Sequence, residues 1–166
     1  VIELNHVHYL SLETSDTGAI ATGATDWRST HGLVIRHNFI HDVIGRGRVG
    51  GQWRAPYYAW GIYLDWSSSG TRTYGNIIAR APRGGIHLHD GRDNVIENNI
   101  FHVARSQDFS APGLVFSRHN LYCGLKVEPG HIPEMMHFEG SPFVSMSPMD
   151  FTLRADGPAV DAGATG

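Results

Sequence analysis

The chain has 166 residues, 41% hydrophobic and 17% charged, which suits one domain with its own core and excludes a disulfide-stapled miniprotein. Thirteen basic against sixteen acidic residues give a net charge of -3, too balanced for a chain devoted to nucleic-acid phosphates, and no apolar run approaches the roughly 18 residues of a membrane span. Cys123 is the single cysteine, so an internal disulfide is excluded; 20 Gly and 11 His stand out.

Helical spacing of apolar residues is scarce, whereas short β-branched and aromatic runs bounded by Gly, Asn, Asp and Ser recur throughout. The first run, residues 1–8 (VIELNHVH), begins as if in mid-strand, with no initiator Met and no signal-like segment. Its frame returns at 34–41, 95–102 and 115–122, and in part at 76–78. The asparagines of this frame are Asn5, Asn38, Asn76, Asn99 and Asn120, and two residues after each comes Val7, Ile40, Ile78, Phe101 or Tyr122. A second frame occupies 19–23, 61–65 and 85–89, with Ile20, Ile62 and Ile86 in phase. Residues 45–60 interrupt the repeat with three Arg and four aromatic residues. The tail, 124–166, holds five of the eight prolines and is expected to leave the pattern and cover the last turn.

A period of about 20–25 residues with two or three short strands predicts an all-β parallel β-helix, a solenoid of about four to five coils over 1–123 with an irregular C-terminal cap. Each strand is expected to pair in parallel with its copy one coil away, and each Asn to adopt a left-handed turn conformation while bonding to its neighbour in the stack. The open first coil predicts that N-terminal coils of a longer chain, or a partner, cover that edge.

The runs LVIRHNFIHDV, GIYLDWSSSGTRTYGNII and GGIHLHDGRDNVIENNIF resemble the right-handed parallel β-helix repeats of bacterial polysaccharide-degrading enzymes. ETSDTGAIATGATDW is similar to the segment before the catalytic strand in glycosidases related to glycoside hydrolase family 141, and the tail resembles the ending that closes such helices. The resemblance implies a secreted or periplasmic enzyme acting on a polysaccharide or oligosaccharide.

Alternation in the second frame places Ile62 and Leu64 inside and Tyr63 and Asp65 outside, with His87 and His89 in register on the next coil and Ala21 and Gly23 on the preceding one. Hydrolysis of a glycosidic bond needs two carboxyl groups. Asp65 is the first candidate; Asp26, Asp16 and Asp90 compete for the second, and His89 is a candidate for orienting or proton transfer. Tyr63, His87, Asp90, Trp66, Trp27, Trp53, Arg54 and Tyr57 are candidate substrate-binding residues, with the inserted loop as a wall whose arginines would suit an acidic glycan. No third metal ligand is evident at convincing spacing, so no metal or other cofactor is expected. His8, His41 and His102 share one column with Ala79 and Cys123 and read as a structural ladder, with Cys123 packed rather than nucleophilic.

Glycoside hydrolysis is the leading reading. A polysaccharide lyase, for which Ca²⁺ would be a cofactor, would have to manage with Arg, His87 or Tyr63, because Lys126, the one lysine, lies outside the patch. A non-catalytic glycan-binding or adhesion solenoid is the third.

Overall fold

A computed structural model describes residues 1–23, 25–102, 108–109, 115–124, 135–146 and 150–163. The described residues form strands and turns, with no helix among them. Sheet A contains β1 (Ile2–Glu3), β4 (Val34–Arg36), β9 (Arg72–Tyr74), β12 (Asn94–Glu97) and β15 (Val115–Arg118). Sheet B contains β2 (His6–Leu10), β5 (Phe39–Val43), β10 (Ile77–Ala79), β13 (Ile100–His102), β16 (Asn120–Cys123) and β17 (Met135–Phe138). Sheet C contains β3 (Thr17–Thr22), β8 (Ala59–Leu64), β11 (Gly84–Leu88) and β14 (Asp108–Phe109). All pairings within these three sheets are parallel, and from β1 to β16 the strands of these sheets come from A, B and C in rotation, so each strand lies beside its counterparts from neighbouring rounds. Two antiparallel pairs lie outside the rotation: β6 (Gly47–Val49) with β7 (Gln52–Arg54), and β18 (Phe143–Ser145) with β19 (Asp150–Leu153).

The five frame asparagines stand on one another at the junction of sheets A and B. Asn38 Oδ1 accepts from the backbone N and Nδ2 of Asn5, and Asn76 Oδ1 accepts the same pair from Asn38. The pattern repeats from Asn76 to Asn99 and from Asn99 to Asn120, at 2.9–3.1 Å. Sequence separations along the ladder are 33, 38, 23 and 21, so rounds of unequal length meet at one register. The left-handed backbone falls one residue earlier than the sequence implied: Leu4, His37, Gly75, Asn98 and His119 have φ between 51° and 65°. The reason is geometric. The preceding residue makes the turn, and the Asn, itself not at positive φ, has both N–H and amide directed along the stack.

Within the rounds, equivalent apolar residues pile into columns. Ile40, Ile78, Phe101 and Tyr122 form one in sheet B, with Val7 at its end, and Ile20, Ile62 and Ile86 form another in sheet C. Most are fully buried, each contributing about 1.5–3 kcal/mol by removal from water. Gly61 and Gly85 let sheet C approach this core: a Cβ on Gly85 would strike the Phe101 ring, and one on Gly61 would strike Ile78. On sheet A the column Glu3, Arg36, Tyr74, Glu97, Arg118 carries ion pairs Glu3–Arg36 and Glu97–Arg118 between adjacent rounds.

The tail departs from the expected division at 123. Strand β17 continues sheet B beside β16, so the pattern extends to Phe138. The antiparallel β18–β19 pair packs against sheet B, where rings already stand on that face. Phe151 meets Phe39 at 4.3 Å, His41 at 5.3 Å and Phe143 at 5.1 Å, and Phe143 meets His102 edge-on at 5.4 Å. Of the five tail prolines, 142 and 158 lie in this region, while 129, 133 and 148 lie outside the described residues.

His41, buried beneath this pair, anchors a charged network. Its Nδ1 is 2.7 Å from Asp42, which receives both Nε and Nη2 of Arg80, and its Nε2 is 2.8 Å from His6 Nε2. The Arg80 guanidinium lowers Asp42 to a pKa of about 2, while burial lowers that of His41.

Two outcomes follow. Asn76→Ala strips the buried Asn38 of the acceptor for two donors and should cost about 3 kcal/mol or more in urea denaturation, whereas Asn5→Ala, at the exposed end of the ladder, should cost under about 1 kcal/mol. Asp42 titrates lower folded than unfolded, so its contribution is complete above about pH 4 and is lost as pH falls toward 2. Asp42→Asn should therefore cost about 2 kcal/mol at pH 7, and the urea midpoints of the two proteins should converge near pH 2.

Candidate functional site

Sheet C positions the site. Its register sets Ala21, Tyr63 and His87 side by side, and His89 N donates to Leu64 O in continuation of the same ladder, which brings His89 next to Asp65. Ile62, Leu64, Ile86 and Leu88 on these strands are fully buried. Tyr63, Asp65, His87 and His89 thus share one outward row, as alternation predicted.

Tyr63 and His87 are nevertheless only 7% and 8% exposed and do not serve as open substrate contacts. Trp60, which alternation alone does not reveal, lies 4.5 Å from the His87 ring and 5.0 Å from Tyr63, and the Tyr63 and His87 rings are 4.6 Å apart. Gly18 on the neighbouring strand makes room, since a Cβ there would come within 2.7 Å of Tyr63 Cβ. The Tyr63 hydroxyl donates to Asp16 Oδ1 at 2.8 Å. Burial first, and then that hydrogen bond, push the phenol well above its ordinary pKa, so Tyr63 is a donor and not a base.

Asp65 ends the row. Its Oδ1 is 2.9 Å from His89 Nδ1, and the two side chains are 21% and 43% exposed. The backbone is held by the Asp65 N–H donating to Thr22 O and by Ser68 Oγ donating to Asp65 O at 2.6 Å. Trp66 and Ser67 then take positive φ, 35° and 54°, which turns the chain out of the strand and leaves the Trp66 ring exposed, 5.2 Å from His89. Beside this turn lies a groove of about 730 Å³ lined by Gly23, Thr25, Ser29, Trp66 and Ser67. Gly23 opens its floor next to Asp65: a Cβ there would sit 3.8 Å from Asp65 Cβ.

The other candidate carboxylates are placed differently. Asp90, one round on from Trp66, is exposed; Ser67 Oγ donates to its Oδ2 and Gly91 N to its Oδ1. Asp26 is a turn cap, its oxygens accepting from Arg28 N, Ser29 N and Ser29 Oγ, so the local turn consumes the group proposed for chemistry. The same bonds lower its pKa. Asp16 precedes Thr17, whose register partner Ala59 is six residues, roughly 20 Å of extended strand, before Asp65. Asp16 reaches the row through Tyr63 and does not face Asp65 as its partner.

The aromatic candidates also divide. Trp27, between groove residues Thr25 and Ser29, has Arg92 over its ring at 4.0 Å and Arg28 at 4.8 Å. The inserted loop does not wall this groove. It enters β8 at its start, whereas Asp65 follows its end, and the strand separates them. The loop is instead anchored near residues 14–15, with Arg46 N donating to Thr14 O, and Gly50 and Gly51 at positive φ form a two-residue hairpin turn. Trp53 carries its own hairpin's Arg46 and Arg48 at 5.0 and 5.6 Å, Tyr57 packs beside Gly47, and Arg54 is exposed on the same hairpin.

Asp65, His87 and His89 bring potential ligand atoms within 4.8 Å of one another, a three-donor grouping that sequence spacing alone did not show. Two imidazoles do not fit Ca²⁺, which prefers oxygen donors, so the lyase cofactor finds no suitable site in this cluster. Cys123 is buried in the His8, His41, Ala79, His102 column, and burial pushes its thiol up to about 12, as befits a packed residue. No family model matches the chain, and no curated protein or solved structure matches it.

Proposed function

We propose that this chain is a right-handed parallel β-helix whose sheet C groove hydrolyses glycosidic bonds in a polysaccharide or oligosaccharide. The rotation through three parallel sheets and the unbroken Asn ladder support the architecture. The observation that carries the activity is the Asp65–His89 pair at the edge of an open groove, next to the exposed ring of Trp66. A sugar ring stacks on an indole face, and such stacking would hold a glycosidic bond against the carboxylate.

With His89 donating through Nδ1, Asp65 acts as an acceptor and takes the role of nucleophile or water-activating base. Asp90 protonates the departing oxygen. One inter-strand step and one residue separate the two, on the order of 6 Å at the backbone, which suits the roughly 5–9.5 Å between glycosidase carboxyl groups. Arg28 and Arg92 beside Trp27 at the rim favour a substrate bearing carboxylate or sulfate groups.

The test is reducing-end release from a panel of neutral and acidic glycans. Asp65→Asn and Asp90→Asn should each lower kcat by about 10²–10⁴ with KM little changed, Trp66→Ala should mainly raise KM, and Asp26→Asn, which preserves the turn cap, should match the parent. An unsaturated uronide product would replace hydrolysis by β-elimination. Glycan binding without turnover, unaffected by Asp65→Asn, would make the groove a non-catalytic binding site.

A further inference from the structure

We propose that Asp65, His87 and His89 form a binding site for a divalent transition-metal cation of the zinc class, a property that stands whether or not a glycan is the substrate. His87 and His89 are two apart on one extended segment and project to the same side, and Asp65 reaches them from the adjacent round. Zinc at about 2.0–2.1 Å from its N and O ligands requires donors roughly 3.3 Å apart around a tetrahedron. Here Asp65 Oδ1 and His89 Nδ1 are 2.9 Å apart and the whole set fits within 4.8 Å, so side-chain adjustments of about 1 Å complete the geometry.

The donor chemistry selects the ion. Two imidazoles and one carboxylate match zinc, cobalt or nickel, while calcium and magnesium lack the oxygen ligands they need. The surroundings supply rigidity: His87 is packed against Trp60 and Tyr63, and Asp65 is fixed by backbone bonds to Thr22 and Ser68. Three protein ligands leave a fourth position for water or a ligand hydroxyl, and His89 and Asp65 are the more exposed members. A bound cation occupies the Asp65 oxygen that the proposed hydrolysis uses, so Zn²⁺ loading and turnover oppose each other.

The experiment is titration of the chelator-stripped protein with Zn²⁺ alone by calorimetry, with visible spectra of bound Co²⁺ as a second readout. The site predicts one equivalent of Zn²⁺, at least tenfold weaker binding in His89→Ala and Asp65→Asn, and loss of the Co²⁺ bands in both. His87→Ala tests the buried ligand, and the half-exposed His89 keeps the test decisive should that variant misfold. His6→Ala, which alters the separate His6–His41 contact, should leave the titration unchanged. Absence of stoichiometric Zn²⁺ binding, or binding that survives His89→Ala and Asp65→Asn, overturns the site. Zn²⁺ binding by a protein that cleaves no glycan even when stripped of metal sinks the hydrolase reading alone, and cleavage insensitive to Zn²⁺ by a protein that binds none sinks the metal site alone.

Discussion

The constraint on which this structure depends is register between successive rounds. Side chains alternate along a strand, so a slip of one residue would exchange the buried set for the exposed set on the strand that slipped. Hydrophobic columns resist such a slip, but rounds separated by 33, 38, 23 and 21 residues offer no uniform length to enforce it. The asparagine ladder supplies the missing specification. Each amide before the last, Asn120, donates both to the next asparagine and to backbone carbonyl oxygen, as Asn76 does to Asn99 Oδ1, Ile35 O and Tyr74 O, so a displaced round would leave buried donors and acceptors unmatched.

The same register assembles the candidate site, which draws on three rounds. Gly23 comes from the first, Asp65 and Trp66 from the second, and His89 and Asp90 from the third, and no two of these sets are close in sequence. Strand direction also gives the sheet two unlike ends. The inserted hairpin and Asp16 gather where β3 and β8 begin, while the groove forms where they end. The Trp60, Tyr63 and His87 rings fill the space between and make a rigid base under the exposed residues.

Much of this was legible in the residues because stacking turns a linear period into spatial adjacency. Asn5, Asn38, Asn76, Asn99 and Asn120 share a phase, and their contacts follow from that phase; so does the row of Tyr63, Asp65, His87 and His89. Burial of Tyr63 and His87 was not legible, since alternation says which way a side chain points and not what lies over it. Trp60 was hidden by its position at the edge of the insertion, where it reads as loop and proves to be strand. The insertion precedes Asp65 closely in sequence, but the six-residue strand β8 runs between them and carries the two to opposite ends of sheet C. The β18–β19 pair on sheet B depends on Phe143 and Phe151 finding Phe39 and His41 more than a hundred residues away, a pairing outside any local period.

That distant pairing changes how the molecule comes apart. A stack in which each layer touches only its neighbours can fray layer by layer from either side. Here the β18–β19 pair lies along the flank, bridging Phe39 and His41 of β5, Arg80 after β10 and His102 of β13. Peeling any of these layers exposes the strap's aromatic underside as well, so the flank acts as a splint that makes fraying cooperative across the layers it spans.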